Sequence, residues 1–305
     1  MSPAGPPPST TPSPPGKKAV FLRRLTSTLA LWGLVVAAIA VGTNPLFYIL
    51  LGALGLASCR EYAAMDPSIP SPWRWIFLAV SLVWTAVTFT ITARTGFPWS
   101  PIVDLGFIAA ITIAAFLPSL FHPLDGRNTL WAIAWTILGF LYIPWSWSFM
   151  SRLLFHFGHS PDGRLSGVPY VLLVIAVTKM TDSGAYVVGS LIGRHKMIPH
   201  ISPGKTWEGL LGASLGALIG GFTVYFGFRH ALPLLTPGHV AVLSLVLAAV
   251  CVVGDLAESV LKRCLDIKDS GALLPGIGGA LDLIDSLLWT GPVFYFYLLY
   301  VCRLP

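Results

Sequence analysis

Charge is what this chain has least of. Asp, Glu, Lys and Arg together make up 10% of its 305 residues, against 55% hydrophobic residues. An ordinary soluble domain carries roughly 25% charged residues, so a water-filled exterior over most of the surface is excluded. Cysteine is scarce as well. Cys59, Cys251, Cys264 and Cys302 stand apart, with no CxxC pair and no histidine at zinc spacing, which excludes a disulfide framework and a zinc module and leaves them as packing residues. The net charge of +6 comes without a basic tract, so no nucleic-acid partner is expected. No internal repeat is visible, which counts against an inverted-repeat transporter. Gly204-Lys205-Thr206 has the ending of a phosphate-binding P-loop, but the first glycine that loop requires falls on Pro199, so a P-loop is excluded. The DGxxAR motif of CDP-alcohol phosphotransferases is also missing.

What is present is apolar sequence in spans of membrane length. Residues 1–16 contain seven of the 25 prolines and read as a disordered tail. Lys17, Lys18, Arg23 and Arg24 then precede the first apolar run. Ala38-Ile39-Ala40 has the character of a signal-peptidase site, but the hydrophobic segments that follow need a start-transfer helix, and an uncleaved first span is expected. Apolar segments cover about 25–43, 46–58, 75–93, 102–121, 129–149, 168–192, 207–228, 239–261 and 280–302. Most approach the roughly 20 residues that cross a bilayer as a helix. The fold class is therefore all-α, a polytopic membrane bundle of about nine transmembrane helices, with eight if 46–58 does not span. With nine spans and a cytoplasmic N-terminus, thirteen Lys and Arg fall inside and five, including Arg152, outside, leaving Lys179 within a span. This obeys the positive-inside rule and places loops 193–206 and 262–279 in the cytoplasm. Trp145 and Trp147 read as part of an interfacial aromatic belt.

The few acids are concentrated. Eight of thirteen follow residue 180: Asp182, Glu208, Asp255, Glu258, Asp266, Asp269, Asp282 and Asp285. A carboxylate inside a membrane helix costs at least about 2.5 kcal/mol unless it is paired, solvated or bound to a cation. The chain accordingly divides into the tail, an N-terminal transmembrane scaffold at 17–165 and a C-terminal catalytic region at 166–305. Asp255 and Glu258 lie three apart, as do Asp282 and Asp285, so each pair occupies one helical face. Facing one another, the four would attract a hard divalent cation such as Mg2+. Hydrogen bonding between helices, or pairing with Lys262 and Arg263, is the competing explanation. Between the pairs run Ser259, Lys262, Arg263, Lys268 and Asp269, then Pro275-Gly276-Ile277-Gly278-Gly279, where glycines let backbone amides approach a phosphate and the cations add charge for a polyanion. A second cluster, DSGAYVVGSLIGRHKMIPHISPGKTWEG at 182–209, supplies Asp182, Ser202, Lys205, Thr206 and Glu208. These are residue types that suit a nucleoside triphosphate, with Glu208 a candidate for metal or base. His195 and His200 read as loop histidines.

The two clusters together resemble the phosphatidate cytidylyltransferase, or CDP-diacylglycerol synthase, family. The carrying pattern is Ser259, two residues, Lys262-Arg263, four residues, Lys268-Asp269, then Gly278-Gly279, Asp282 and Asp285, preceded by the DSGAY and SPGKTWEG stretches. The resemblance covers residues 180 to 290. At Ile277 the family often has His and at Leu283 Arg, so two polar contacts are missing here. The resemblance implies joining CTP to phosphatidate, with release of pyrophosphate, by a nucleotidyltransferase of phospholipid biosynthesis that uses Mg2+ and has acids enough for a second cation. It implies Asp255 and Asp282 as metal ligands supported by Glu258 and Asp285. Lys262, Arg263 and Lys268 would hold phosphates, Ser202, Lys205 and Thr206 the nucleotide, and Asp182, Ser259, Gly278 and Gly279 would lie at the substrates. The partners are CTP, phosphatidate and the bilayer, with a homodimer as the candidate assembly. The location is the cytoplasmic (inner) membrane with the site toward the cytoplasm. Two other functions use part of this inventory. A CTP-dependent kinase of a polyprenol-type lipid alcohol would make lipid phosphate and CDP, and a cation-coupled transporter would leave the SPGKTWEG stretch unexplained.

Overall fold

The computed structural model describes residues 44–95, 101–156, 167–271 and 278–302. The proline-rich tail, the first apolar segment at 25–43 and Pro275-Gly276-Ile277 lie outside the described residues. Helices α1 (Asn44–Met65), α2 (Ser71–Thr95), α3 (Pro101–Phe116), α4 (Pro118–Phe121), α5 (Gly126–Phe140) and α6 (Ser146–His156) make the N-terminal half. Helix α7 (Val168–Ile192), an antiparallel hairpin of β1 (Lys196–Ile198) and β2 (Ser202–Thr206), α8 (Trp207–Gly227), α9 (Pro237–Cys264), α10 (Ala280–Ile284) and α11 (Leu287–Tyr300) follow. Seven helical stretches among the described residues have the length and hydropathy to cross a membrane: 46–65, 71–91, 101–121, 126–156, 168–192, 207–227 and 237–264. Their outer faces remain apolar, with Ile102, Phe121, Leu191, Leu211 and Leu215 all exposed. This is the pattern of an all-α bundle that uses lipid as its solvent.

Four expectations change. The segment read as 46–58 continues to Met65, because Arg60 and Glu61 ride on the helix end instead of terminating it. The segment read as 129–149 continues to His156, so Arg152 is not in a loop. It is buried in α6, with two hydrogen bonds to Asp104 at 2.9 and 2.7 Å and its guanidinium 4.2 Å from the Phe149 ring centre. Trp147 is not interfacial either: it is buried, and its indole donates to the Leu51 carbonyl at 2.7 Å. The last apolar segment is divided at Asp285 and Ser286 into α10 and α11.

Between α5 and α6 lies one π-helical turn, Leu141–Trp145. Pro144 has no N–H to continue the α-helical ladder, and its carbonyl instead accepts the Trp84 indole at 3.1 Å. Around this point Tyr62 stacks on Trp135 at 4.2 Å, and Trp84 meets Phe107 and Phe140 edge-on. Just past α1, Asp66 accepts the Trp131 indole at 2.7 Å and the Ser68 hydroxyl at 2.6 Å. Partial burial works against its ionisation, but these donors outweigh it and hold the carboxyl below its ordinary value.

The C-terminal half is built on backbone contact. Gly184 on α7 and Gly212 on α8 are so close that a Cβ on either would collide with the other's carbonyl oxygen, and a Cβ on Gly216 would collide with that of Met180. Small residues let membrane helices approach to this degree. The approach fixes the β1–β2 hairpin over the end of α7, where Thr206 caps α8 by accepting Gly209 N–H at 3.1 Å. From β2, Lys205 reaches Asp255 on α9 at 2.9 Å, while Arg263 near the end of α9 donates to the Ile201 carbonyl at 3.4 Å. The 193–206 loop and the turn after α9 therefore occupy one end of the bundle.

Two outcomes follow from this packing. Single cysteines at His200 and Asp269, in a background without native cysteines, should be labelled from the same side of sealed vesicles; labelling from opposite sides would contradict the arrangement. Gly184→Ala should lower thermal stability in detergent by about 1–3 kcal/mol, because overpacking at a backbone contact forces the two helices apart. An unchanged melting temperature would mean that the α7–α8 contact relaxes without cost.

Candidate active site

The polar residues of α7, β2, α9 and α10 meet around a cavity of about 410 Å3. Its walls carry Lys179 and Asp182 from α7, Ser202, Lys205 and Thr206 from β2, Asp255 from α9, and Asp282, Asp285 and Ser286 around α10. Helical spacing explains the convergence. Asp255, Glu258 and Lys262 fall at i, i+3 and i+7 on α9, and Lys179 and Asp182 at i and i+3 on α7.

Oxygens of Asp255, Glu258 and Asp285 lie within 4.8 Å of one another. Glu258 and Asp285 are buried. At an effective dielectric of about 20, unit like charges at this spacing repel by roughly 3 kcal/mol per pair. Glu258 Oε1 is buried and has no hydrogen-bond partner among the described residues. An all-oxygen donor set with one oxygen unclaimed fits a hard divalent cation such as Mg2+. Asp282 is placed differently from these three. One of its oxygens pairs with Lys262, and the other accepts Gly279 N–H at 2.6 Å. Lys262 also donates to Glu258 at 2.6 Å, bridging two acids.

The remaining residues singled out from the sequence are distributed as follows. Ser202, Lys205 and Thr206 line the cavity, and Lys205 also donates to the Val252 carbonyl at 3.0 Å. Asp182 lines it and accepts the Cys251 thiol at 3.3 Å. Ser259, Lys262, Arg263 and Lys268 are not on its walls; Arg263 and Lys268 are exposed at the same end of the bundle. Gly278 adopts a φ of +124°, open to glycine alone at no cost, and Gly279 leaves room for Ser270 and Glu61. The glycine turn among the described residues is thus occupied by protein side chains. Glu208 accepts from the Arg194 and His195 amides and pairs with the His195 ring, tying the hairpin to α8, and does not line the cavity.

Two residues escaped the sequence reading. From the sequence Lys179 reads only as a cation within a span; its spacing to Asp182 is the available signal. Glu61, at the end of α1, accepts Leu281 N–H at 2.9 Å, the first turn of the helix that carries Asp282. Extending α1 by two turns would have brought it to the same end as the acids.

A lysine-flanked acidic cavity thus lies at one end of a helical membrane bundle. The cytidylyltransferase family profile matches residues 22–301. The chain belongs to the cytidylyltransferase family and is a nucleotidyltransferase. It is 31% identical over 282 residues to the uncharacterized protein YnbB of Escherichia coli (strain K12), covering 89% of this chain and 86% of that protein. It is 30% identical over 274 residues to a phosphatidate cytidylyltransferase of Brucella suis biovar 1 (strain 1330), covering 86% and 91%. To a phosphatidate cytidylyltransferase of Bacillus subtilis (strain 168) it is 42% identical over 132 residues, 43% of this chain and 48% of that protein.

The Glu61 contact can be measured. Glu61→Ala leaves the Leu281 amide without its acceptor and should cost about 1–3 kcal/mol of stability, whereas Glu61→Gln keeps an acceptor oxygen and should recover most of it. Equal melting temperatures for both variants and the parent would show that the bond contributes nothing.

Proposed function

We propose that this protein transfers the cytidylyl group of CTP to phosphatidate, giving CDP-diacylglycerol and pyrophosphate, at the cytoplasmic face of the inner membrane. The observation that carries this reading is the clustering of Asp255, Glu258 and Asp285, with Asp255 and Asp285 lining one cavity together with Lys205. Phosphatidate cytidylyltransferases among the relatives support the choice of substrates.

Phosphatidate is a phosphate monoester with a second pKa of about 6, so much of it is dianionic at neutral pH and needs no dedicated base. Its oxygen attacks the α-phosphorus of CTP; one P–O bond forms and the bond to the departing pyrophosphate breaks. The demand on the protein is to bring two polyanions together in line and to neutralise the leaving charge. Asp255, Glu258 and Asp285 would hold Mg2+, with Asp282 beside them, and the ion would supply charge neutralisation to the phosphates. Lys205 enters from the hairpin and would bind phosphates of CTP, with Ser202 and Thr206 beside it. Lys262 holds Glu258 and Asp282 in place through its two ion pairs. Arg263 and Lys268, exposed at the same end, would meet the incoming nucleotide.

The decisive assay is purified protein with phosphatidate, Mg2+ and CTP labelled at the α-phosphorus. Label should appear in a CDP-lipid, with pyrophosphate released. Transfer of label from the γ-position, leaving CDP, would replace this reading with a lipid kinase. Asp255→Asn keeps the size of the side chain but loses the charge, and activity should fall by orders of magnitude in folded protein. Lys205→Ala should raise the KM for CTP by about tenfold while leaving that for phosphatidate nearly unchanged. Near-normal turnover in Asp255→Asn would remove the metal assignment.

A further inference from the structure

Lys179 is a second cation of the cavity, and the proposed reaction has a second anion. Its position is unusual: it lies near the middle of α7, thirteen residues before the helix ends at the hairpin, or about 20 Å along the axis. A cation at that depth is retained only where it has partners or work. Its partners among the described residues are few. The ammonium donates to the Leu283 carbonyl at 3.1 Å, and Asp182 stands 4.0 Å away, beyond hydrogen-bond length. An ammonium has three donors, and this one stands on the wall of the cavity with a side chain 37% exposed.

The same face of α7 leads outward. Lys179, Asp182 and Tyr186 follow the i, i+3, i+7 stripe, and all three line the cavity. Tyr186 is 76% exposed, and Val187 beside it is exposed as well. The cavity is therefore continuous with the outer surface of a membrane-embedded helix. Lys205 approaches from the extramembrane hairpin instead.

We infer that the two lysines divide the substrates, Lys179 binding the phosphomonoester of the lipid and Lys205 the nucleotide. This rests on the cytidylyl-transfer reading and adds a subsite to it. An amphiphile entering along α7 brings its phosphate to Lys179 with its chains left on the apolar face. The two spare donors would bind the dianionic phosphate, and the Leu283 carbonyl would hold the ammonium in position.

The test separates the two substrates. Lys179→Met keeps the aliphatic length without the charge, and Lys179→Arg restores a cation. In mixed micelles, Lys179→Met should raise the apparent KM for phosphatidate at least about tenfold and leave that for CTP within twofold, with Lys179→Arg recovering most of the loss. A merely structural lysine would move both constants or kcat alone, and either result, or an unchanged phosphatidate KM, overturns the inference. Titration of short-chain phosphatidate without CTP provides a second arm, with weaker binding to Lys179→Met than to the parent. Equal affinity, or no binding to either protein, also overturns it. Failure of the parent to form any CDP-lipid, with phosphatidate binding still dependent on Lys179, would instead overturn the reaction and keep the subsite.

Discussion

Three carboxylates with oxygens within 4.8 Å of one another, inside a bundle whose outer surface is lipid-facing, must be neutralised, and much of the C-terminal half is arranged around that requirement. Lys262 bridges Glu258 and Asp282, Lys205 pairs with Asp255, and Lys179 stands beside Asp182. Each lysine comes from a different element, so the charge balance is made only when α7, β2, α9 and α10 are assembled. The glycine contacts of α7 with α8 serve the same end. They bring the hairpin close enough for Lys205 to span from β2 to α9, which a wider helix separation would prevent.

The N-terminal half also reaches the turn that carries Asp282. Glu61 reaches Leu281 N–H, and the neighbouring Gly279 amide is bound by Asp282. The turn that presents Asp282 is thus held from both sides, by α1 through Glu61 and by α9 through Lys262. A cavity formed between elements is only as precise as the most mobile of them, and a five-residue helix such as α10 has little hydrogen bonding of its own to fix it. Its position depends on neighbours that are far away in the sequence.

This explains what was legible beforehand. The bundle, the clustering of acids and the importance of 182–209 and 255–285 follow from hydropathy, helical spacing and motif, all of which are local. The partners of individual residues do not. Glu208 has the composition of a ligand, yet lies within reach of two backbone amides and His195, which its place at the start of α8 dictates. Arg152 and Trp147 carry the usual marks of loop and interface, but the π-turn around Pro144 carries the helix on to His156 and places both in the core. Glu61 was hidden for a related reason: apolarity ends at residue 58, whereas the hydrogen-bonded helix runs on for about two turns.

The charges at and beside the cavity also bear on its chemistry. Asp182, Asp255, Glu258, Asp282 and Asp285 oppose Lys179, Lys205 and Lys262, so with every group ionised the surplus is two negative charges, the charge of one divalent cation. A site balanced in this way has no excess attraction for a polyanion. Under the proposed reaction, anionic substrates would have to bring counter-charge with them or draw on groups outside the cavity, and Arg263 and Lys268 are exposed at the same end of the bundle. A nucleotide arriving with its own Mg2+ would satisfy the first requirement, because the metal then compensates the phosphates it carries. The protein's acids alone would repel both substrates, and its lysines alone would hold the pyrophosphate after transfer. With the two interleaved, the site can accept charge in the bound state and release it with the product.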